Sequence, residues 1–96
     1  MITDQQREIV LKHLRPLHPL KIGIFGSYAR GENSSQSDLD ILVSLDYSKR
    51  ISLLDLIGVE QDISDELGIE VDLVTEKSLN PLIRPYVEKD VNFIYQ

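Results

Sequence analysis

The sequence predicts an α/β domain of the α+β type, a small β-sheet with helices mainly on one face. Three observations carry that reading. Apolar residues recur at helical spacing in some segments and cluster in short strand-like runs in others. These segments follow one another as α-β-loop-β-α-β-α, with a short strand to finish. And 96 residues, 42% of them hydrophobic, supply one modest core, so residues 1–96 are read as a single domain.

Residues 3–14 (TDQQREIVLKHL) read as the first helix. Thr3 and Gln6 have capping-box spacing, and Ile9, Val10, Leu14 and Leu17 recur at helical intervals. Pro16 and Pro19 bracket its end. LKIGIF then reads as a short buried strand ending at Gly26, and IFGSYARG runs from that strand into a turn and the start of a short helix. LDILVSL is a second strand, with Leu39, Ile41 and Val43 on one face. The longest helical pattern, SLLDLIGVEQDISDELG, has a stripe of Leu53, Leu56, Ile57, Ile63 and Leu67 and Gly68 as its C-cap. IEVDLVT alternates as a third strand. NPLIRPYVEKD reads as a last helix, with Pro81 near its start and Pro85 limiting its regularity. VNFIY closes the sheet as an edge strand. Helices on one face are expected to leave the other free for a site.

Composition narrows the function. Sixteen acidic residues against ten basic ones give a formal charge of −6, which argues against a broad phosphate-binding surface and so against a nucleic-acid partner. A small anionic ligand bridged by metal remains compatible with that charge. The chain has no cysteine, which excludes disulfide and thiolate chemistry and suits a reducing compartment. MITDQQREIV has no basic stretch ahead of an apolar run, and no apolar run approaches the ~20 residues of a membrane span. A cytoplasmic protein without a membrane partner is expected.

Asp38, Asp40 and Asp72 stand out. Strand residues alternate faces, so Asp38 and Asp40 point together while Leu39 and Ile41 point the other way. Asp72 likewise opposes Val71 and Leu73. If both apolar rows meet the same helices, all three carboxylates share the other face, with strands about 4.8 Å apart and i, i+2 side chains about 7 Å apart. Clustered carboxylates repel, so either their pKa values rise or a cation lies between them. Oxygen-only ligands suit Mg²⁺ or Mn²⁺. A pair of such ions serves phosphoryl or nucleotidyl transfer. Gly26 lets the backbone approach a ligand closely, and the helix-start amides with the Ser27 hydroxyl can hold phosphate oxygens. No Gly-Lys-Ser/Thr follows, so this is not a Walker A loop. Each piece alone has an ordinary reading as a turn, a cap or a solvated acid; their order and shared face give the set its weight.

The stretch GSYARGENSSQSDLD, a Gly-Ser pair, ten residues and Asp-x-Asp, resembles the DNA polymerase β-like nucleotidyltransferase superfamily. With VDLV as the third acid, and FGSYARGE and SDLDILV around it, the whole chain is similar to the minimal nucleotidyltransferases (MNT), including the MntA-type antitoxins of HEPN–MNT toxin–antitoxin pairs. The resemblance implies the polymerase β-like fold with a small mixed sheet. It also implies transfer of a nucleoside monophosphate, AMP from ATP, to a hydroxyl with release of pyrophosphate. Carried over, Gly26 and Ser27 bind the triphosphate, Asp38 and Asp40 ligate two Mg²⁺ ions, and Asp72 ligates one metal and acts as base. The implied acceptor is a tyrosine of a HEPN toxin partner. Only 24 residues follow Asp72, too few for the acceptor-binding helical domain of larger relatives, so a partner or second copy is expected to complete the acceptor site in a homo- or hetero-oligomer. Two other readings stay open: a transferase for a small molecule of antibiotic type, and a non-catalytic subunit that binds nucleotide or masks a toxin.

Arg30 either reaches a phosphate or forms a salt bridge, Glu32 being the nearest partner. Lys77 and Arg84 read better as solvated than as phosphate ligands. Ser37 either orients Asp38 or caps the start of the strand. His13 and His18 lie away from the acids. Tyr28 stacks on a base or packs under the loop, and Tyr86, Phe93, Ile94 and Tyr95 are expected to pack in the core, with a dimer or partner interface as the alternative.

Overall fold

The computed structural model describes residues 2–96. Helix α1 (Asp4–Leu14) opens with the expected capping box: the Gln6 amide donates to Thr3 Oγ1 at 3.1 Å, and the Thr3 amide donates to Gln6 Oε1 at 2.8 Å. A 3-10 turn over Arg15–Leu17 delivers the chain into β1 (Pro19–Phe25). Gly26 turns it into the short α2 (Ser27–Arg30), and a polar loop leads on to β2 (Leu39–Leu45). There follow α3 (Leu53–Leu67), β3 (Val71–Thr75), α4 (Arg84–Asp90) and β4 (Asn92–Tyr95).

The four strands form one mixed sheet in the order β3-β2-β1-β4. β1 runs antiparallel to β2 and to β4, whereas β2 and β3 are parallel. A parallel pair needs a long crossover, and the 15-residue α3 provides it. A capping box from Ser52 to Asp55 starts α3, and Gly68, at φ 70°, ends it.

Strand alternation builds the core as expected. Leu39, Ile41 and Val43 are fully buried beside Ile22 and Ile24, beneath Val10 and Leu14 of α1 and Ile63 of α3. Each such side chain contributes about 1.5–3 kcal/mol by leaving water. The α3 stripe differs from expectation: Leu56, Val59, Ile63 and Leu67 pack on the core, while Leu53 is 71% and Ile57 50% exposed. The first half of α3 runs beside the edge strand β3, lining a shallow groove with Leu73, Thr75 and Ser78 instead of meeting the full sheet.

The opposite face is not wholly free. Leu42, Leu79 and Val87 are buried there, with Phe25, Val74 and Val91 against them. Leu42 and Val74 are apolar residues on the aspartate face of their strands, and the C-terminal segment covers them. The last helix starts later than expected. Asn80 forms a turn, accepting the Leu82 amide at 2.9 Å, and α4 begins at Arg84, so that Pro85 falls in its first turn. Of the expected C-terminal core group only Ile94 packs on the main core; Tyr86 is 73% exposed, and Phe93 and Tyr95 are also exposed. These aromatics lie on α4 and the edge strand β4, where no further layer covers them.

Candidate active site

Pairing register brings the aspartates together. In the parallel β2–β3 ladder Asp40 stands opposite Asp72, flanked by the pairs Leu39–Val71 and Ile41–Leu73. Those apolar neighbours face the core, so both carboxylates face the other side. Asp38 lies one residue before β2 and two before Asp40. The Asp40 carboxyl is half-buried and its pKa is raised, first by burial, then by the charges of Asp72 and Asp38; Arg30 pulls it back down. Asp38 and Asp72 are exposed. One acid is thus set into the sheet and two stand toward solvent around it.

Gly26 closes the other side of Asp40. Its φ of 74° and ψ of −150° belong to a region that side chains exclude. A Cβ there would also run into the Asp40 carboxylate. Glycine is required at this position twice over, by the backbone and by the space. Ser27 then begins α2, whose first amides have no partner within the helix and are available to an oxygen ligand.

Arg30, at the end of α2, donates to Glu32 at 3.0 Å and to Asp90 at 2.7 Å, and both bonds raise its pKa, Glu32 first. The salt bridge expected with Glu32 is therefore present, with a second carboxylate that the sequence did not suggest. Asp90 lies 60 positions away, and no local pattern announces such a pairing. The remaining candidates behave plainly. Lys77 sits over the Tyr47 ring, Arg84 donates to the Glu76 carbonyl, and His13 and Lys12 both meet Glu66. Ser37 accepts from the Ser34 amide and so ties the loop rather than a carboxylate. Tyr28 is buried in the core.

Among the described residues no three acidic or imidazole side chains converge tightly enough to cage a metal by themselves. The donor set still suits a hard cation: three carboxylates, one with its charge disfavoured by the other two. Mg²⁺ commonly takes one or two carboxylates and fills its remaining positions with water and substrate phosphate. A polar cleft lined by Ser35, Ser37, Asp38, Ser64 and Glu70 opens beside the acids.

Comparison with known proteins identifies the family. The family model for the nucleotidyltransferase domain matches residues 4–94. A candidate protein adenylyltransferase of Methanocaldococcus jannaschii is 47% identical over 93 residues, spanning 92% of this chain and 93% of that protein. Protein adenylyltransferase MntA of Thermococcus cleftensis is 39% identical over 99 aligned positions, spanning 98% of each. A toxin–antitoxin crystal structure with AMP-PNP superimposes with a TM-score of 0.79 at 25% identity, over 93% of this chain and 72% of that one. The fold also matches, at a TM-score of 0.74 and 22% identity over 98% of this chain and 72% of the other, a structure of a tri-AMPylated Shewanella oneidensis HEPN toxin in complex with its MNT antitoxin. The family match runs over nearly the whole length, and a solved minimal nucleotidyltransferase is 34% identical over 92% of this chain and 88% of that one, with a TM-score of 0.77, so this chain belongs to the nucleotidyltransferase domain family, as one of its minimal nucleotidyltransferases.

Proposed function

We propose that this chain is a Mg²⁺-dependent protein adenylyltransferase that transfers AMP from ATP to a tyrosine hydroxyl of a HEPN toxin and thereby acts as its antitoxin. The observation that carries the reading is the register of Asp40 against Asp72, with Asp38 beside them and Gly26 pressed against Asp40. The relative named MntA and the toxin–antitoxin structure with AMP-PNP support the nucleotide and the partner class.

In this reading the α2 amides and Ser27 hold phosphate oxygens, and Arg30 adds a positive charge on the same side. Asp38, Asp40 and Asp72 would hold Mg²⁺, which supplies the positive charge that a triphosphate and three carboxylates lack. Asp72 accepts the proton of the acceptor hydroxyl as its oxygen bonds to the α-phosphorus. The bond from that phosphorus to the bridging oxygen breaks, and pyrophosphate leaves with its electron pair.

The test is intact-mass spectrometry of a HEPN partner after incubation with this chain, ATP and Mg²⁺. The expected result is a gain of one or more AMP units, lost in Asp38→Ala and Asp40→Ala variants that keep the wild-type circular dichroism. Stable association without any mass gain would sink the catalytic reading and leave masking by contact.

A further inference from the structure

Arg30 is held on two sides, and one of its partners comes from the far end of the chain. Its Nε donates to Glu32 and its Nη1 to Asp90. The Glu32 side chain is 65% exposed and lies two residues from Arg30 on the same loop, so it moves with the group it binds. The Asp90 side chain is 23% exposed and ends α4, whose Val87 and adjoining Val91 are fixed under the sheet. Two residues further on, Asn92 Nδ2 donates to the Ala29 carbonyl at 3.3 Å. Two side chains of the segment 90–92 therefore grip α2, Asp90 at the Arg30 guanidinium and Asn92 at the Ala29 carbonyl.

We propose that Asp90 is a positioning residue, holding the Arg30 guanidinium in place beside the aspartate cluster so that it meets the triphosphate already ordered. This rests on the reading of Gly26–Arg30 as the nucleotide-holding turn. Neither bond uses Nη2, so its two N–H donors are the ones a phosphate oxygen takes. A free arginine gives up the freedom of a long side chain when it binds; one clamped between two carboxylates has already given it up. Arg30 ends the four-residue α2, whose N-cap Gly26 lies directly against the Asp40 carboxylate. The opposing effect is competition, since Asp90 also offsets part of the charge offered to phosphate. The sign of an Asp90 substitution separates holding from competing.

The experiment is a double-mutant cycle read by calorimetric titration of AMP-PNP with Mg²⁺ into the wild-type chain, D90A, R30A and the double variant, with a thermal melt of each. D90A is expected to weaken binding by about two- to tenfold, the scale of ordering one long side chain on binding. The double variant is expected to bind no more weakly than R30A alone. D90N keeps the shape and an acceptor oxygen; it is expected to retain more affinity than D90A, and it carries the same cycle if D90A does not fold. An equal loss from D90A in the R30A background overturns the proposal, because Asp90 then acts without Arg30. Tighter binding by D90A overturns it in favour of competition. A wild-type chain that does not bind AMP-PNP overturns the nucleotide-holding reading itself, which is distinct from unchanged binding in D90A.

Discussion

Substituting Gly26 by alanine tests the site's geometry most directly, because two separate costs meet there. The backbone at φ 74°, ψ −150° costs a side-chain-bearing residue about 1–3 kcal/mol. The new methyl also meets Asp40, and overpacking of that kind costs about 1–3 kcal/mol. Together, G26A is expected to lose about 2–6 kcal/mol, or about 4–8 °C of melting temperature per kcal/mol in a domain of this size. The structure also says how to divide the two. The clash involves the Asp40 carboxylate, whereas the Asp40 Cβ would lie at an ordinary 3.6 Å from the added methyl. In G26A/D40A the steric part is relieved and the backbone part remains. Urea denaturation of the four proteins followed by circular dichroism is expected to show a favourable coupling of about 1 kcal/mol or more. Additive losses, or a G26A protein as stable as the wild type, would refute the close approach of Gly26 to Asp40.

Other substitutions probe the remaining claims. Asp40→Asn is expected to stabilise the ligand-free chain at neutral pH. The folded pKa of Asp40 is raised, so the native state holds its proton better than the unfolded chain, and stability falls as pH rises from the ordinary value of 3.8 through the folded one. The advantage of D40N is therefore expected to vanish below that window, and an advantage independent of pH in paired melts would refute the assignment. Ile63→Ala is expected to cost about 2–5 kcal/mol in urea melts. Leu53→Ser, on the same helix but exposed, is expected to stay within about 0.5 kcal/mol of wild type; similar losses would place Leu53 in the core after all. Val87→Ala is expected to destabilise by about 1–3 kcal/mol, since the small cluster around Leu42 depends on it. An unchanged melt would show that the C-terminal segment does not pack on the aspartate face.

Much of this architecture is legible in the sequence because short-range rules decide it. The capping box at Thr3 uses side chains three residues apart, and β2 announces itself by alternation alone. The shared face of Asp40 and Asp72 also follows from alternation, once β2 and β3 are taken to present their apolar rows to the same helices. What is not legible depends on distant partners. Leu53 and Leu56 both suit the apolar stripe of α3; only the position of the helix along the edge strand separates them. Leu42 on the aspartate face signals a second covered surface, but nothing local says that Leu79 and Val87 cover it. The link from Arg30 to Asp90 spans 60 positions, and a charge pattern read along the chain cannot find it.

The three acids sit in mechanically different places, and that difference bears on how the site tolerates its own repulsion. Asp40 belongs to a central strand whose other face carries three fully buried side chains, so its backbone is fixed and charge is forced on it by position. Asp72 belongs to the edge strand and is exposed, where water screens it. Edge strands are otherwise loosely held on their free side, yet Glu60 of α3 accepts the Leu73 amide at 2.7 Å, next to Asp72 and turned away from β2. That bond occupies part of the open edge and holds β3 from both sides. The local guanidinium offsets only part of the cluster's charge, because Arg30 is already bound to Glu32 and Asp90. Asp40 therefore remains a held, half-buried carboxylate with a charge deficit. A cation that supplies the missing charge binds the folded chain in preference to the unfolded one, and by linkage it must stabilise the fold, by about 2.7 kcal/mol at a hundred times its dissociation constant.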